Sequence, residues 1–251
     1  MVRRRETSEF SHLPTPCEAR VIQELKRNAD ECGRGRWKLK KYSRWTDNAD
    51  FDFVSRALDT DFVDKVVDLS RRFRKRKIEV LFEGSGVSRF PEELVERCRK
   101  RGIGVRVFRT DLYSPKAFKE LAIQHGLDAK HYRQATPEEL VRKFGRNSFH
   151  LIVSRTGGLT YTPLPQVKGV HNVCKVLKPG GEAHILTENI DRPSLPLGNE
   201  IRLRSPVAGK LTAVGAFFKA HPQFAVEEKE HEIGAGFLAR THPILRIKRI
   251  C

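Results

Sequence analysis

The sequence is poor in the features that define several common protein classes. Its five cysteines are odd in number and widely spaced, with no Cys-x-x-Cys pair and no Cys/His cluster at zinc-ligand spacing, so we predict neither a disulfide framework nor a metal site. No apolar run approaches the ~18 residues of a membrane-spanning helix, and no apolar signal core follows the first residues, Met-Val-Arg-Arg-Arg. We therefore expect a protein of the cytoplasm or another reducing compartment, with no membrane partner. Import into an organelle stays open, and the sequence does not indicate an oligomeric state.

Positive charge, by contrast, is abundant. The 251 residues include 48 Lys and Arg against 31 Asp and Glu, which gives a formal net charge of +17. Such a charge produces a field that attracts polyanions and weakens as salt is added. It indicates nucleic acid as the partner class, although charge alone carries no information on sequence specificity.

Two short segments concentrate this charge. Residues 34–45 interleave cations with both tryptophans of the chain, and residues 71–77 are almost entirely basic. Aromatic rings can stack on exposed bases while Arg and Lys contact phosphates, a combination that is typical of RNA binding. The alternative is that the tryptophans pack on the core and the charges form a solvated face. The candidate RNA-binding residues are Arg34, Arg36, Trp37, Lys38, Lys40, Lys41, Arg44, Trp45, Arg71, Arg72, Arg74 and Lys75.

The pattern of apolar residues changes near residue 77. Residues 1–76 predict a basic helical region, with one helix from Pro16 to about Glu31 and another from Asp59 or Thr60. Residues 77–251 predict strands that alternate with helices, which indicates an α/β fold with a mostly parallel seven-stranded sheet, helices on both faces and an antiparallel C-terminal hairpin. The predicted strands are 78–82, 105–108, a short one near 132, 149–153, 182–186, 224–233 and 243–250.

The turn after the first predicted strand is the first candidate for chemistry. In an open α/β sheet, ligands bind beyond the carboxyl ends of the strands, where the strand order reverses. Gly84 and Gly86 allow the backbone to turn tightly and approach a ligand, but Arg89 stands where a dinucleotide fingerprint has its third glycine, which argues against an NAD enzyme. Asp111, at the end of the second strand, can accept hydrogen bonds from a ribose diol. Equally, it can be only the N-cap of the next helix.

Four fragments carry a resemblance to a known family: Val80-Leu81-Phe82-Glu83-Gly84-Ser85-Gly86, Asp111-Leu112-Tyr113-Ser114-Pro115, residues 147–154, and Val176-Leu177-Lys178-Pro179-Gly180-Gly181. Together, over about residues 77 to 250, they resemble the class I S-adenosylmethionine-dependent methyltransferases. Each fragment is short, but their order and spacing are specific. The resemblance implies a Rossmann-like fold and S-adenosylmethionine as the cofactor, whose sulfonium carries the leaving group so that the protein mainly aligns the nucleophile.

The same resemblance implies roles for individual residues. The turn formed by Glu83, Gly84, Ser85 and Gly86 would lie against the methionine part of the cofactor, and Asp111 would bind the ribose hydroxyls. Ser154, Arg155 and Thr156 would face the transferring methyl group, Ser154 also binding the cofactor. Tyr161 is a candidate to orient the nucleophile, with a packing role as the alternative. The residues that would lie beside the adenine are Gln134 and Ala135.

Three positions depart from the family pattern. Phe82 stands where the family has an acidic residue, with Glu83 one position later, and such a shift reverses a strand side chain's direction unless a bulge intervenes. Gln134 and His150 also replace acidic residues. These departures leave open a catalytically silent, RNA-binding or ribosome-associated protein of the same fold. A small-molecule or protein methyltransferase is a further alternative.

Two other classes of nucleic-acid methyltransferase are disfavoured. The Asn/Asp-Pro-Pro-aromatic element of amino-methylating enzymes is missing after the fourth strand, where residues 154–161 form a glycine-rich segment instead. Cys98 and Cys174 fall in predicted helix interiors, away from the loops that would reach the methyl group, which argues against a cysteine nucleophile. The leading hypothesis is therefore an S-adenosylmethionine-dependent methyltransferase that acts on RNA or another nucleic acid.

Overall fold

A computed structural model describes residues 16–33, 50–155, 166–186, 223–233 and 240–250. The helices are α1 (Pro16–Gly33), α2 (Phe51–Ala57), α3 (Phe62–Phe73), α4 (Phe90–Lys100), α5 (Pro115–His125), α6 (Leu140–Phe144, after a 3-10 turn at Pro137–Glu139) and α7 (Gln166–Val176). The strands are β1 (Lys77–Glu83), β2 (Gly104–Asp111), β3 (Tyr132–Gln134), β4 (Phe149–Arg155), β5 (Leu177–Leu186), β6 (Phe224–Ile233) and β7 (Arg240–Arg249).

The seven strands form one sheet in the order β3-β2-β1-β4-β5-β7-β6. Strands β1 to β5 pair in parallel, and β7 runs antiparallel to both β5 and β6. The chain moves outward from β1 through β2 to β3, then crosses back to β4 on the other side of β1. The predicted α/β fold, with its mostly parallel sheet and C-terminal hairpin, is confirmed. The strand order reverses between β1 and β4, so a ligand site is expected at their carboxyl ends.

Strand β1 is buried on both faces, which explains its nearly continuous apolar sequence. Ile78, Val80 and Phe82 pack with residues of α2, α3 and α4 in a cluster on one face of the sheet. Leu81 points to the other face, where α6 and α7 cover a second cluster. The alternation of a strand thus fixes which layer each β1 side chain enters.

Helix starts differ in detail from the sequence prediction. Helix α3 begins after Asp61, whose carboxylate accepts hydrogen bonds from the amides of Val63 (2.9 Å) and Asp64 (3.1 Å), rather than at Asp59 or Thr60. Asp59 has a left-handed φ of 46° and belongs to the preceding turn. Helix α2 was not predicted, since two helical turns are too short to show a period.

The division into an N-terminal basic region (residues 1–76) and a methyltransferase-like domain (residues 77–251) is not tested by the fold, and it stays a prediction. Side chains from both sides of that position pack in the first cluster, including Phe62 of α3 and Val80 of β1. Helix α1 is joined to the 3-10 turn through an ion pair between Lys26 and Glu139 at 2.6 Å. In the described ranges no helix is long and apolar enough to cross a membrane.

Candidate cofactor-binding site

Two backbone amides of the glycine turn after β1 donate hydrogen bonds to the end of β2. Gly84 and Gly86 have φ values of 61° and 49°, a left-handed conformation that glycine adopts without steric cost. The amide of Ser85 donates to the carbonyl of Thr110 (2.9 Å), and the amide of Gly86 donates to Oδ2 of Asp111 (2.7 Å). The turn predicted from the sequence therefore lies beside the predicted acid.

Asp111 is half-buried at the carboxyl edge of the sheet. Its Oδ1 accepts a second hydrogen bond, from the amide of Leu112 (2.6 Å). Burial raises the pKa of the carboxyl group, while the two backbone donors act to lower it. Each carboxylate oxygen keeps a further lone pair for a hydroxyl donor. The N-cap of α5 is Ser114, so the alternative that Asp111 only caps the next helix is wrong.

The end of β3 is tied to the same loop. The side-chain amide of Gln134 donates to the carbonyl of Leu112 (2.6 Å), and the amide of Ala135 donates to the carbonyl of Asp111 (3.0 Å). Ala135 is buried and Gln134 is half-buried. The residues predicted beside the adenine thus adjoin the residue predicted to bind the ribose.

Glu83 and Ser154 face each other across the paired strands β1 and β4. The Ser154 hydroxyl donates to Oε2 of Glu83 at 2.6 Å, and both residues are at most 1% exposed. The pairing from Val80 to Glu83 is regular, so no bulge reverses the side chains. Phe82 accordingly points to the opposite face and packs on Phe90, with ring centroids 4.9 Å apart.

The structure describes less of the residues predicted to lie near the transferring methyl group. Arg155 ends β4, and its side chain is outside the described part of the structure, as are Thr156 and Tyr161. Their roles stay predictions. Ser154 lies at the expected strand end, but its hydroxyl is buried against Glu83.

Arg109 of β2 was missed by sequence reasoning. Its guanidinium is 2% exposed, donates to the carbonyl of Ser88 (2.8 Å) and forms an ion pair with Glu92 in the first turn of α4. Burial lowers the pKa of Arg109, an effect that Glu92 opposes. Glu92 also accepts from the amide of Asp128 (2.8 Å). Arg109 therefore anchors the segment that follows the glycine turn to both α4 and the loop before β3.

The second predicted RNA-binding segment lies at the other end of the sheet. Arg71, Arg74 and Lys75 are exposed where α3 ends and β1 begins. Arg72 is also exposed, but it forms ion pairs with Asp68 (2.6 Å) and Glu182 (2.7 Å) and donates to the carbonyl of Gly180 (2.9 Å). The first segment, with Arg34, Arg36, Trp37, Lys38, Lys40, Lys41, Arg44 and Trp45, lies outside the described residues.

The two cysteines and the histidine considered in the sequence analysis pack within the fold. Cys98 and Cys174 are buried in α4 and α7, and burial raises the pKa of both thiols, that of Cys98 to about 11. His150 accepts a hydrogen bond from the amide of Glu79 (3.0 Å) and packs edge-on against Phe73. Within the described ranges, no three His, Cys, Asp or Glu side chains are grouped so that they could hold a metal ion.

Comparisons with known proteins give a likeness of fold. No protein-family model and no curated protein matches the sequence. The chain is similar to the solved 1,6-didemethyltoxoflavin-N1-methyltransferase of Burkholderia thailandensis, at 15% identity over 95% of this chain and 92% of that one, with a TM-score of 0.52. Lower TM-scores are found for the antibiotic-resistance methyltransferase Kmr (0.46; 14% identity over 69% of this chain and 87% of that one) and for TrmN from Thermus thermophilus (0.40; 17%, over 73% and 48%). Only the fold is inferred from these likenesses.

Proposed function

We propose that this chain, whose fold is that of the class I S-adenosylmethionine-dependent methyltransferases, binds S-adenosylmethionine and transfers its methyl group to RNA. The observation that carries the proposal is the Asp111 carboxylate. It lies at the carboxyl end of β2, next to β1 where the strand order reverses, holds the glycine turn in place, and keeps lone pairs for a diol. The solved Burkholderia methyltransferase was determined with S-adenosylhomocysteine bound, which supports this choice of cofactor.

The residues at the carboxyl edge fit the chemical groups of this cofactor. The backbone at Gly84 and Gly86 has no side chain to keep a ligand away. Asp111 offers acceptors for two ribose hydroxyls, and Gln134 and Ala135 adjoin it where an adenine would lie. When bound, the cofactor would supply an electrophilic methyl group on a sulfonium with a good leaving group.

The residues of the chain then have mainly positioning roles. Ser154 holds the Glu83 carboxylate below the turn, so we assign Ser154 to positioning rather than to contact with the acceptor. Arg109 fixes the segment after the turn through Ser88 and Glu92. Arg155 and Tyr161 stay our candidates for orienting the acceptor, in keeping with a reaction in which alignment supplies much of the rate.

RNA is proposed as the acceptor because of the charge of the chain. A net charge of +17 gives a field that attracts a polyanion. Such a field does not contribute to the binding of a small neutral substrate. The Burkholderia protein acts on a small molecule, so a small-molecule acceptor is the alternative. Methyl transfer from labelled cofactor distinguishes them, because the label would appear in the RNA fraction or in a small-molecule extract.

The experiment compares Asp111→Asn with Asp64→Asn, an exposed Asp on α3 that serves as the matched control. Hydrogen bonds to a charged acceptor contribute about 1.5–3 kcal/mol each, so Asp111→Asn should weaken cofactor binding by roughly 30-fold or more. The control should bind and methylate as the wild type does. Equal affinities of the two variants, with both folded by circular dichroism, would contradict the assignment of Asp111.

Phe82 favours a second candidate, a catalytically silent RNA-binding protein of the same fold. Its ring occupies the position of the family's acidic residue and is 2% exposed among other phenylalanines, so no carboxylate projects from that position. This candidate predicts RNA binding without methyl transfer. RNA that is bound but never labelled, over many hours at saturating cofactor, would favour it over the enzyme.

A further inference from the structure

Exposed cations from three separate segments meet at the amino ends of the parallel strands. We call this surface the amino-edge rim. It is made where α3 leads into β1, where α4 leads into β2, and where α6 leads into β4. All of its members are exposed. They are Arg71, Arg74, Lys75, Arg76, Lys77, Arg99, Arg101, Lys143 and Arg146.

The topology explains why these segments lie together. In a parallel sheet with crossover helices, every helix that leads into a strand ends at the same edge as that strand begins. Lys77 pairs with Gly104, whose amide donates to the carbonyl of Arg76 (2.9 Å), so the α3 and α4 ends adjoin. Strand β4 lies on the other side of β1. The three strands span about 10 Å, before their long side chains extend the surface further.

The cations of the rim are not neutralised within the described part of the chain. None of the nine forms an ion pair there. The neighbouring carboxylates have other partners, since Glu182 binds Lys65 and Arg72, and Glu79 binds Arg106 at 3.3 Å. The charge of the rim is therefore available to an external anion.

The rim and the candidate cofactor site lie at opposite edges of the sheet. Strand β1 runs from Lys77 at the rim to Glu83 beside the glycine turn, and six steps of a strand cover roughly 20 Å. A small anion at the rim cannot reach Asp111. Only an extended polyanion can occupy both edges at once.

The rim has cations but no exposed aromatic ring among the residues described. Phe73 packs against His150, and Phe144 packs against Phe149, so both rings are turned into the fold. Without a stacking platform, a surface recognises the phosphate backbone rather than splayed bases. A nucleic acid helix presents its phosphates outward and keeps its bases stacked inside, which matches such a surface.

We propose that the amino-edge rim is a docking surface for the backbone of double-helical RNA, separate from the cofactor site. The proposal rests on the proposed function only in taking RNA as the substrate. It adds that a helical part of that RNA is held roughly 20 Å from the methyl acceptor. Binding at the rim is independent of base sequence, sensitive to salt, and unaffected by the cofactor.

The test measures fluorescence anisotropy of a labelled RNA duplex of 20 base pairs with the full chain. The rim variant carries Lys75→Glu, Arg99→Glu and Arg146→Glu, one change in each segment. The matched control carries Lys116→Glu, Lys119→Glu and Lys130→Glu, which are exposed residues of α5 and the loop before β3. Both variants change the net charge equally. The rim variant should bind the duplex at least 10-fold more weakly, with a shallower salt dependence, and the control should lose less than 3-fold.

Several results would overturn the proposal. They are equal losses in the two variants, absence of duplex binding by the wild type, or equal rim-dependent affinity for a single strand of the same length. Rim-dependent binding to phosphatidylserine vesicles without duplex binding would indicate a membrane surface instead. Titration with S-adenosylhomocysteine separates this proposal from the proposed function. The rim variant should bind S-adenosylhomocysteine as the wild type does. A wild type that binds the duplex but not S-adenosylhomocysteine would refute the proposed methyltransferase function and leave duplex docking at the rim in place.

Discussion

Removal of Glu92 should destabilise the protein far more than removal of a glutamate one turn later in the same helix. Glu92 is the ion-pair partner of Arg109, whose side chain is 2% exposed, and it also accepts from the amide of Asp128. In Glu92→Ala the guanidinium would stay buried with the Ser88 carbonyl as its remaining acceptor among the contacts described. A buried charge that loses its partner costs about 3–5 kcal/mol.

The matched control is Glu96→Ala, because Glu96 pairs with Lys100 on the exposed face of α4. Exposed pairs of this kind contribute little, so the control should leave the free energy of unfolding almost unchanged. The assay is equilibrium unfolding in urea, followed by circular dichroism. Arg109→Met in the Glu92→Ala background should recover part of the loss, since the unpaired charge is then gone.

The reasoning fails if Glu92→Ala costs less than about 1 kcal/mol, or if the two substitutions add without coupling, since a buried ion pair requires both effects. A destabilised Glu92→Ala variant should also bind the cofactor more weakly at a temperature where it is still folded. The segment after the glycine turn loses its anchor on α4 in this variant.

Two further substitutions test other parts of the fold. Burial and the neighbouring Lys178 lower the pKa of His150 to about 4, below its value in the unfolded chain, so the unfolded chain takes up more protons and stability falls as the pH drops from about 6.5 toward 4. Between pH 7 and pH 4.5, the free energy of unfolding of His150→Asn, measured in urea, should fall by about 2 kcal/mol less than that of the wild type. The same dependence of this free energy on pH in both proteins would contradict the prediction. Gly181→Ala should destabilise the fold, because its Cβ would lie 2.9 Å from the Lys178 carbonyl oxygen and 3.0 Å from that of His150. A melting temperature equal to that of the wild type would refute the close packing at Gly181.

Much of the fold could be predicted because β1 and β4 are buried on both faces. A strand in that position needs an apolar sequence such as Ile78-Glu79-Val80-Leu81-Phe82, and the glycines and prolines between strands mark the turns. The candidate site followed from the same pattern, since Asp111 and the glycine turn each follow a parallel strand. Parallel strands bring their carboxyl ends to one edge.

Other features depend on contacts between distant parts of the chain. Arg109 falls on the same side of β2 as Val105 and Val107, but an arginine is rarely buried without a partner, and only the position of Glu92 on α4 shows why it lies there. The Ser154 hydrogen bond to Glu83 requires the register of β1 against β4. Arg72 was grouped with its basic neighbours, although it forms an ion pair with Glu182 on β5.

The most direct test of the central claim is calorimetric titration of the full chain with S-adenosylhomocysteine. The cofactor site at Asp111 and the glycine turn predicts saturable binding with one ligand per chain, and a clear loss of affinity in Asp111→Asn but not in Asp64→Asn. No binding by the folded wild type at millimolar ligand would contradict the claim that this edge of the sheet holds S-adenosylmethionine.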